Sequence, residues 1–243
     1  MIIYGINPVL EALRAGRATG LRVSRRDDPR LKEVLCLAAR HRVSVRRVDA
    51  RELDGVTRGA AHQGIVAELG QARVLGVGDL VAAGSGRPLL VVLDGIEDPQ
   101  NLGAILRAAD AAGADGVIRQ ARHAAPLGGA TAKASAGAVA HVRIATVVNV
   151  ARALEELRTL GVWTVGLAGD AAQTVYDVDF TLPTAIVLGA EGVGLRRLVR
   201  ERCDLLASIP MRGHVGSLNV AAAAAVVLFE AVRRRRGETP SKG

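Results

Sequence analysis

The chain has 243 residues, 49% of them hydrophobic, which is enough for one large or two smaller globular domains and excludes a disordered polymer. Two cysteines, Cys36 and Cys203, are too few for a disulfide framework or a four-ligand zinc site, and both are interpreted as buried thiols of a cytoplasmic protein. The formal net charge is +8, and residues 1–70 hold 13 basic against 8 acidic side chains, which is compatible with a nucleic-acid partner.

The first 70 residues alternate short β-like and helical segments. "IIYGI" is followed by "NPVLEALRAG", where Asn7 is the predicted N-cap and Pro8 the first helical residue. Further β-like segments, "GLRVSR", "VSVRRVD" and "GIVAELG", are separated by helical patterns. This alternation predicts a small α/β domain over 1–70. The glycine-rich residues 71–86 that follow predict a flexible linker.

Residues 87–236 repeat the alternation on a larger scale. "PLLVVLDGI" is a nearly continuous apolar run, as expected of a strand buried on both faces, and "DGVIRQ", "VRIATV", "VWTVGLAG", "AIVLGAEG" and "LLASIP" are further predicted strands. Helical patterns lie between most of them, which predicts a mostly parallel sheet with helices on both faces. A frayed tail is predicted over 237–243.

The last predicted helix, from about residue 218 to 235, carries an unusually wide apolar stripe. One core face need not use up all of it, so we expect a homodimer through this helix and its neighbours. The stripe consists of Val220, Ala223, Ala224, Val227, Leu228 and Ala231.

Several functional classes are disfavoured by missing motifs. The chain has no G-x-G-x-x-G after a strand and no phosphate-binding G-x-x-x-x-G-K-[ST], which argues against a nicotinamide enzyme and a P-loop enzyme. It has no H-E-x-x-H, C-x-x-C or G-x-S-x-G, so no metal site or serine hydrolase is expected. No signal peptide or membrane-spanning run is visible, and we expect no membrane association.

Three predicted strands end in loops that carry polar or glycine residues and lead into helices. These loops are "EDPQN" after the first strand of the C-terminal part, "GAEGVG" after a later strand, and "MRGHVGSLN" after the last. Because ligands bind beyond the carboxyl ends of parallel strands, the three loops predict one shared pocket.

The residues around these loops resemble a known family. "DPQNLGAILRAADAAGADGVI", "IVLGAEGVGLRRLVRERCD" and "SIPMRGHVGSLNVAAAAAVVLFEA" are similar, in this order, to the three motifs of the SPOUT-class RNA ribose 2′-O-methyltransferases, the SpoU/TrmH family. "YGINPVLEAL" and "HQGIVAEL" resemble the N-terminal substrate-binding domain of the bacterial 23S rRNA guanosine 2′-O-methyltransferases, although "NP" departs from the usual "HA" or "NA".

The resemblance implies properties that composition and periodicity do not. They are a C-terminal trefoil knot, S-adenosylmethionine bound in the knotted loops, a homodimer, and methyl transfer to a ribose 2′-hydroxyl of RNA, with a 23S rRNA guanosine as the expected target. The alternatives are a tRNA enzyme, a resistance-type rRNA methyltransferase, and an RNA-binding assembly factor without catalysis.

The resemblance also assigns site residues. The catalytic set it implies is Asn101, Arg107, Glu191, Ser217 and Asn219, and the cofactor set is Gly189, Ile209 and Leu218. Taken without the resemblance, Asn101, Ser217 and Asn219 are equally well explained as helix caps, and Arg107 as a solvated helix residue. The residues next to Arg107 suggest a partly buried setting. Since a guanidinium does not readily release its proton, we expect Arg107 to bind a phosphate and polarise the hydroxyl rather than act as a base.

Overall fold

The computed structural model describes residues 1–25, 28–70, 74–84 and 86–236. The predicted frayed tail, 237–243, lies outside these residues. The α-helices are α1 Ile6–Arg14, α2 Leu31–Arg40, α3 Ala50–Thr57, α4 Val77–Ala83, α5 Pro99–Ala111, α6 Gly129–Ala134, α7 Val150–Thr159, α8 Arg197–Arg202 and α9 Val220–Arg236. The strands are β1 Ile2–Tyr4, β2 Ala18–Ser24, β3 Ser44–Val48, β4 Ile65–Leu69, β5 Leu89–Asp94, β6 Gly116–Gln120, β7 Ile144–Val147, β8 Trp163–Leu167, β9 Gln173–Thr174, β10 Thr184–Gly189 and β11 Leu205–Ser208. Ala138–Ala140 and Val175–Asp177 form single 3-10 turns.

The N-terminal part forms a four-stranded sheet in the order β1-β4-β2-β3. β4 pairs antiparallel with both β1 and β2, whereas β3 runs parallel to β2 after the crossover through α2. Helix α1 begins two residues earlier than predicted, at Ile6 rather than Pro8. Gly5, with φ 95°, occupies the N-cap position, and the N–H of Ile6 donates to the side-chain oxygen of Gln63 at 2.9 Å. The prediction of Asn7 as the cap was therefore wrong by two residues, because a glycine accommodates this left-handed backbone without strain.

The C-terminal part forms a seven-stranded, wholly parallel sheet in the order β7-β6-β5-β10-β8-β11-β9. The apolar run of β5 is explained by helices on both of its faces. Leu89, Val91 and Leu93 belong to the hydrophobic cluster that includes α5 and α9. Leu90 and Val92 belong to the opposite cluster, with α4, α7 and α8. The expected α/β class, with a parallel sheet covered by helices on both faces, is confirmed.

The two sheets are joined by direct packing. Buried side chains of the first sheet, such as Ile3, continue into the same hydrophobic cluster as β5 and α5. Arg17 donates to the backbone carbonyls of Val139 and Ala140 at 3.2 and 3.3 Å, and His141 lies 2.8 Å from a carboxylate oxygen of Glu11.

The prediction of a flexible linker over 71–86 was wrong for residues 77–83, whereas residues 71–73 and 85 of that segment lie outside the described residues. Residues 77–83 form α4, with Val77 and Leu80 buried against the second sheet, and Asp79 accepts from the backbone N–H of Gly76 at 2.8 Å. The three-residue spacing of these apolar side chains gives the segment a face that the sheet covers. Glycine content alone does not reveal such a face.

The cysteine prediction was half right. Cys203 is largely covered, and burial together with nearby Asp204 and Asp94 raises its pKa to about 12. Cys36, by contrast, is exposed, because it lies on the outer face of α2, opposite the buried Leu31, Val34 and Ala38.

Candidate active site

A cleft of about 360 Å³ lies beyond the carboxyl ends of β8, β10 and β11, where parallel α/β sheets bind ligands. Its walls are the loops that follow these three strands and the first turn of α9. The lining residues are Leu167–Asp170, Leu188–Leu195, Arg200, Ala207, Ile209, Met211, Gly216–Leu218, Val220 and Ala223. Gly189, Ile209, Leu218, Glu191 and Ser217 of the predicted site all belong to this lining.

The loop after β10 folds back tightly on the end of its own strand. A Cβ atom at Gly189 would lie 2.1 Å from the carbonyl carbon of Gly194, so no other residue fits there without moving the loop. The N–H of Gly194 donates to the carbonyl of Ala190 at 2.8 Å, and Gly192 and Gly194 have φ values of 77° and 73°. The glycines of "GAEGVG" thus build a narrow wall that presents main-chain groups to the cleft.

A chain of hydrogen bonds links all three predicted site loops. Asn101 donates from Nδ2 to Oε2 of Glu191 at 3.0 Å, and Asn219 donates from Nδ2 to Oδ1 of Asn101 at 2.8 Å. The Oδ1 of Asn219 accepts from the N–H of Ala221 at 2.9 Å, which caps α9. The direction of the chain is fixed at both ends, because a carboxylate only accepts and the helix N-terminus only donates.

Asn219 is both a helix cap and a residue of the candidate site. Its oxygen is a helix cap and its amide nitrogen is part of the site. Asn101, by contrast, is not a cap: Asp98 holds that position in α5 and accepts from the N–H of Gln100 at 3.0 Å. The side chain of Asn101 is therefore free to bridge the loops.

A second carboxylate of the cleft is paired. Arg200 binds Asp170 with two parallel bonds of 2.9 and 3.0 Å, and this hydrogen bonding holds the pKa of Asp170 below its usual value. Asp170 therefore remains ionised at neutral pH, with its charge balanced by Arg200.

The loop 211–218 is less constrained by its glycines than the sequence suggests. Gly213 and Gly216 do not have left-handed φ values, and a Cβ atom on either would meet nothing within 4 Å. Neither glycine is therefore required by a left-handed turn or by a close backbone contact. Gly216 instead leaves open space beside Ser217 and Leu218 at the edge of the cleft.

Among the described residues, Arg107 does not belong to the hydrogen-bonded cluster of Glu191, Asn101 and Asn219. It lies six residues after Asn101 on α5, about one-third of a turn away around the helix axis, and it is exposed. The expectation of a partly buried setting was wrong, because Leu106 and Ala109 take the inward positions.

Sequence reasoning missed Asp94, the last residue of β5. Its buried carboxylate accepts from the backbone N–H of Arg196 at 2.9 Å and from the Nε of Arg196 at 2.7 Å. A charged residue closing an otherwise apolar strand is the signal that could have found it.

No group of three potential metal ligands occurs among the residues that the structure describes. None of the helices within 1–25, 28–70, 74–84 and 86–236 is long and apolar enough to cross a membrane.

Comparison with known families decides the classification. Residues 88–229 match the SpoU rRNA Methylase family, and residues 2–75 match the family described as RNA 2′-O ribose methyltransferase substrate binding. The chain belongs to the SpoU rRNA methylase family. It is an RNA 2′-O-methyltransferase of that family, which depends on S-adenosylmethionine.

Similar proteins cover nearly the whole chain. The 23S rRNA (guanosine-2′-O-)-methyltransferase RlmB of Pseudomonas putida is 45% identical over 240 residues, which is 96% of each chain. The crystal structure of the SpoU methyltransferase AviRb from Streptomyces viridochromogenes, in complex with AdoMet, has a TM-score of 0.82 and 29% identity, covering 98% of this chain and 91% of that one. The TrmH/SpoU tRNA modifying enzyme of A. aeolicus has a TM-score of 0.56 and 26% identity and covers 68% of this chain and 88% of that one.

Proposed function

We propose that this chain methylates the ribose 2′-hydroxyl of a guanosine in 23S rRNA, in the cytoplasm. The observation that supports the reaction most is the bonded chain Glu191–Asn101–Asn219, which joins the three loops at the mouth of the cleft. The rRNA target is supported by similarity to RlmB over both the N-terminal and the C-terminal parts. The tRNA modifying enzyme matches only 68% of this chain, which favours rRNA over tRNA.

The cleft fits S-adenosylmethionine. Its volume lies within the usual range of about 300–1,000 Å³ for ligand pockets. Leu188, Ile209 and Leu218 supply apolar surface, the glycine loop supplies main-chain donors and acceptors, and Glu191 supplies negative charge for a cationic molecule. We propose Gly189, Ile209 and Leu218 as residues that hold the cofactor.

S-adenosylmethionine supplies an electrophilic methyl group when bound. The chain must hold the ribose oxygen in line with that methyl group and assist loss of the hydroxyl proton. We propose that Asn101, Glu191 and Asn219 fix the three loops in register, and that Ser217, exposed at the rim, contacts the ribose. Arg107 is proposed to bind the adjacent phosphate and to polarise the hydroxyl.

The homodimer is proposed on a different surface from the one expected. Of the predicted stripe, all members except Ala223 are buried within the chain, so that stripe gives no support for a partner. A second row on α9, at spacings of 3, 1 and 3, consists of two exposed and two half-buried residues. Its members are Ala222, Ala225, Val226 and Phe229, and Phe229 is 50% exposed.

We further propose that the C-terminal part contains the trefoil knot implied by the family resemblance. We propose that 1–70 bind RNA and that 87–236 carry the knotted catalytic unit. In the sheet, β10 and β8 lie between β5 and β11. This order supports a knotted chain in which earlier segments enclose the last strand and the loop that follows it.

Calorimetry with S-adenosylhomocysteine, the demethylated product of the cofactor, tests the cleft assignment, and light scattering tests the dimer. Saturable binding and a dimeric mass are expected. Absence of binding at millimolar product would contradict the cofactor assignment. If the wild-type protein has a monomeric mass at all concentrations, the same as that of the Phe229→Glu variant, the proposed dimer is contradicted.

A further inference from the structure

The loop 190–195, which forms one wall of the cleft, is anchored at both ends to the segment that comprises β5 and α5. Near its start, Glu191 accepts from Asn101 on α5. Directly after its end, Arg196 binds Asp94 at the end of β5 through both its backbone N–H and its guanidinium. A further donor of the same guanidinium reaches Oε1 of Gln120, at the end of β6, at 2.7 Å.

The burial of the two partners is unequal. The side chain of Asp94 is 0% exposed, whereas that of Arg196 is 47% exposed. A buried carboxylate is stable only if donors replace the water it has lost, and Arg196 supplies two of them. Arg196, being half in water, does not need Asp94 for its own solvation. The ion pair therefore serves mainly to fix the position of Arg196, because the guanidinium is already solvated by water.

Apart from the bond between the N–H of Gly194 and Ala190 and its close approach to Gly189, the tip of the wall has little packing of its own that fixes its shape. Gly192 and Gly194 are exposed, and a Cβ atom on either would meet nothing within 4 Å. The side chain of Val193 is 77% exposed. Two anchors flanking a glycine-rich loop are therefore expected to decide where its main-chain groups stand.

We propose that Asp94 and Arg196 are positioning residues for S-adenosylmethionine, with Gln120 orienting the guanidinium. None of the three side chains lines the cleft, so they act through the loop 190–195. The inference rests on the proposed cofactor assignment and deepens it. In this proposal the carboxylate of Asp94 on β5 fixes, through Arg196, the loop 190–195 against which the cofactor binds.

The test compares Arg196→Met with Arg197→Met. The two arginines are neighbours, but Arg197 is 77% exposed and pairs with Glu201 on its own helix. Methionine keeps the apolar stem of Arg196 and leaves its backbone N–H on Asp94, but it removes the other donors to that buried carboxylate, so circular dichroism first establishes that the variant is folded. Calorimetry with S-adenosylhomocysteine should give a Kd raised about tenfold or more for Arg196→Met, the loss expected for a charge-assisted bond. Arg197→Met should stay close to wild type.

Two further variants separate positioning from general stability. Asp94→Asn keeps the shape but turns an amide towards the guanidinium, and it should weaken cofactor binding as much as Arg196→Met. Arg196→Lys retains the positive charge but not the planar fork that reaches Asp94 and Gln120 together, and it should fall between wild type and Arg196→Met. In all of them the KM for S-adenosylmethionine should rise more than kcat at saturating cofactor falls, and RNA affinity should not change.

Folded Arg196→Met and Asp94→Asn proteins that bind S-adenosylhomocysteine like the wild type would overturn the positioning role alone. A loss confined to thermal stability, with unchanged Kd and KM, would also overturn it. Failure of the wild-type protein to bind the product would instead overturn the proposed cofactor assignment and, with it, the inference that rests on it.

Discussion

The amide nitrogen of Asn219 donates to Oδ1 of Asn101 at 2.8 Å, across 118 positions of sequence. The same Asn219 caps α9 with its oxygen. One side chain therefore has two separable tasks. The cap stabilises the helix, and the amide connects the last site loop to the other two.

Asn219→Asp should separate these tasks. Aspartate retains the oxygen that caps α9, but it cannot donate to Asn101 and it adds a negative charge near Glu191. We expect thermal stability close to wild type with methyl transfer reduced at least about 100-fold, as for loss of a positioned polar group. Asn219→Ala should lose activity similarly and also about 1 kcal/mol of stability, the usual cost of removing an N-cap. Full activity in Asn219→Asp would show that the amide donor is not needed.

Gly189→Ala should disrupt the cofactor cleft. The added Cβ atom would lie 2.1 Å from the carbonyl carbon of Gly194, so the loop must move away from the strand. We expect loss of S-adenosylhomocysteine binding by calorimetry and a lower melting temperature. Gly78→Ala on α4 is the matched control, because its Cβ atom would meet nothing within 4 Å, and it should be neutral. If Gly189→Ala and Gly78→Ala bound S-adenosylhomocysteine equally well, the close approach of Gly194 to Gly189 would be contradicted.

These glycines illustrate how far sequence reasoning reached. The strands of the second sheet were predictable, since two-sided burial produces apolar runs such as β5. The loop glycines were also visible, but the sequence could not tell that Gly189 is required by a backbone contact while Gly213 is not. The difference depends on which segment lies across from each glycine.

The remaining errors have the same origin. α4 was hidden because only two of its residues, Val77 and Leu80, are fully buried against the sheet. The link between Asp94 and Arg196 spans 102 positions and has no local signature. The roles of Asn101 and Glu191 came from the family resemblance, because a short loop with polar residues is equally consistent with capping.

The two cysteines should differ strongly in reactivity. Burial and nearby carboxylates raise the pKa of Cys203 to about 12, so at pH 8 it is almost entirely the unreactive thiol. Cys36 is exposed on α2. Ellman's reagent at pH 8 should therefore modify one thiol rapidly in the native protein and a second only after unfolding. Cys36→Ser should abolish the fast phase, and a fast phase that survives would contradict the assignment.

The arginines of the N-terminal part should carry the salt dependence of RNA binding. Arg42, Arg51 and Arg58 are exposed. Replacing all three with glutamine should weaken binding to an rRNA fragment and reduce the slope of log K against log salt by about 2 to 3, if each contacts one phosphate. Binding of S-adenosylhomocysteine serves as the control and should not change. Because this part packs directly on the 139–141 segment, point variants are a cleaner test than its removal. An unchanged slope would place the RNA contacts elsewhere.

The most direct test of the account is methyl transfer to rRNA. The purified protein is incubated with unmodified 23S rRNA and S-adenosylmethionine carrying an isotopically labelled methyl group, and the RNA is digested to nucleosides for mass spectrometry. The account predicts label in 2′-O-methylguanosine, and almost none with Asn101→Ala. Label in a methylated base, label in another 2′-O-methyl nucleoside, or no transfer by a wild-type protein that binds both RNA and cofactor would contradict it.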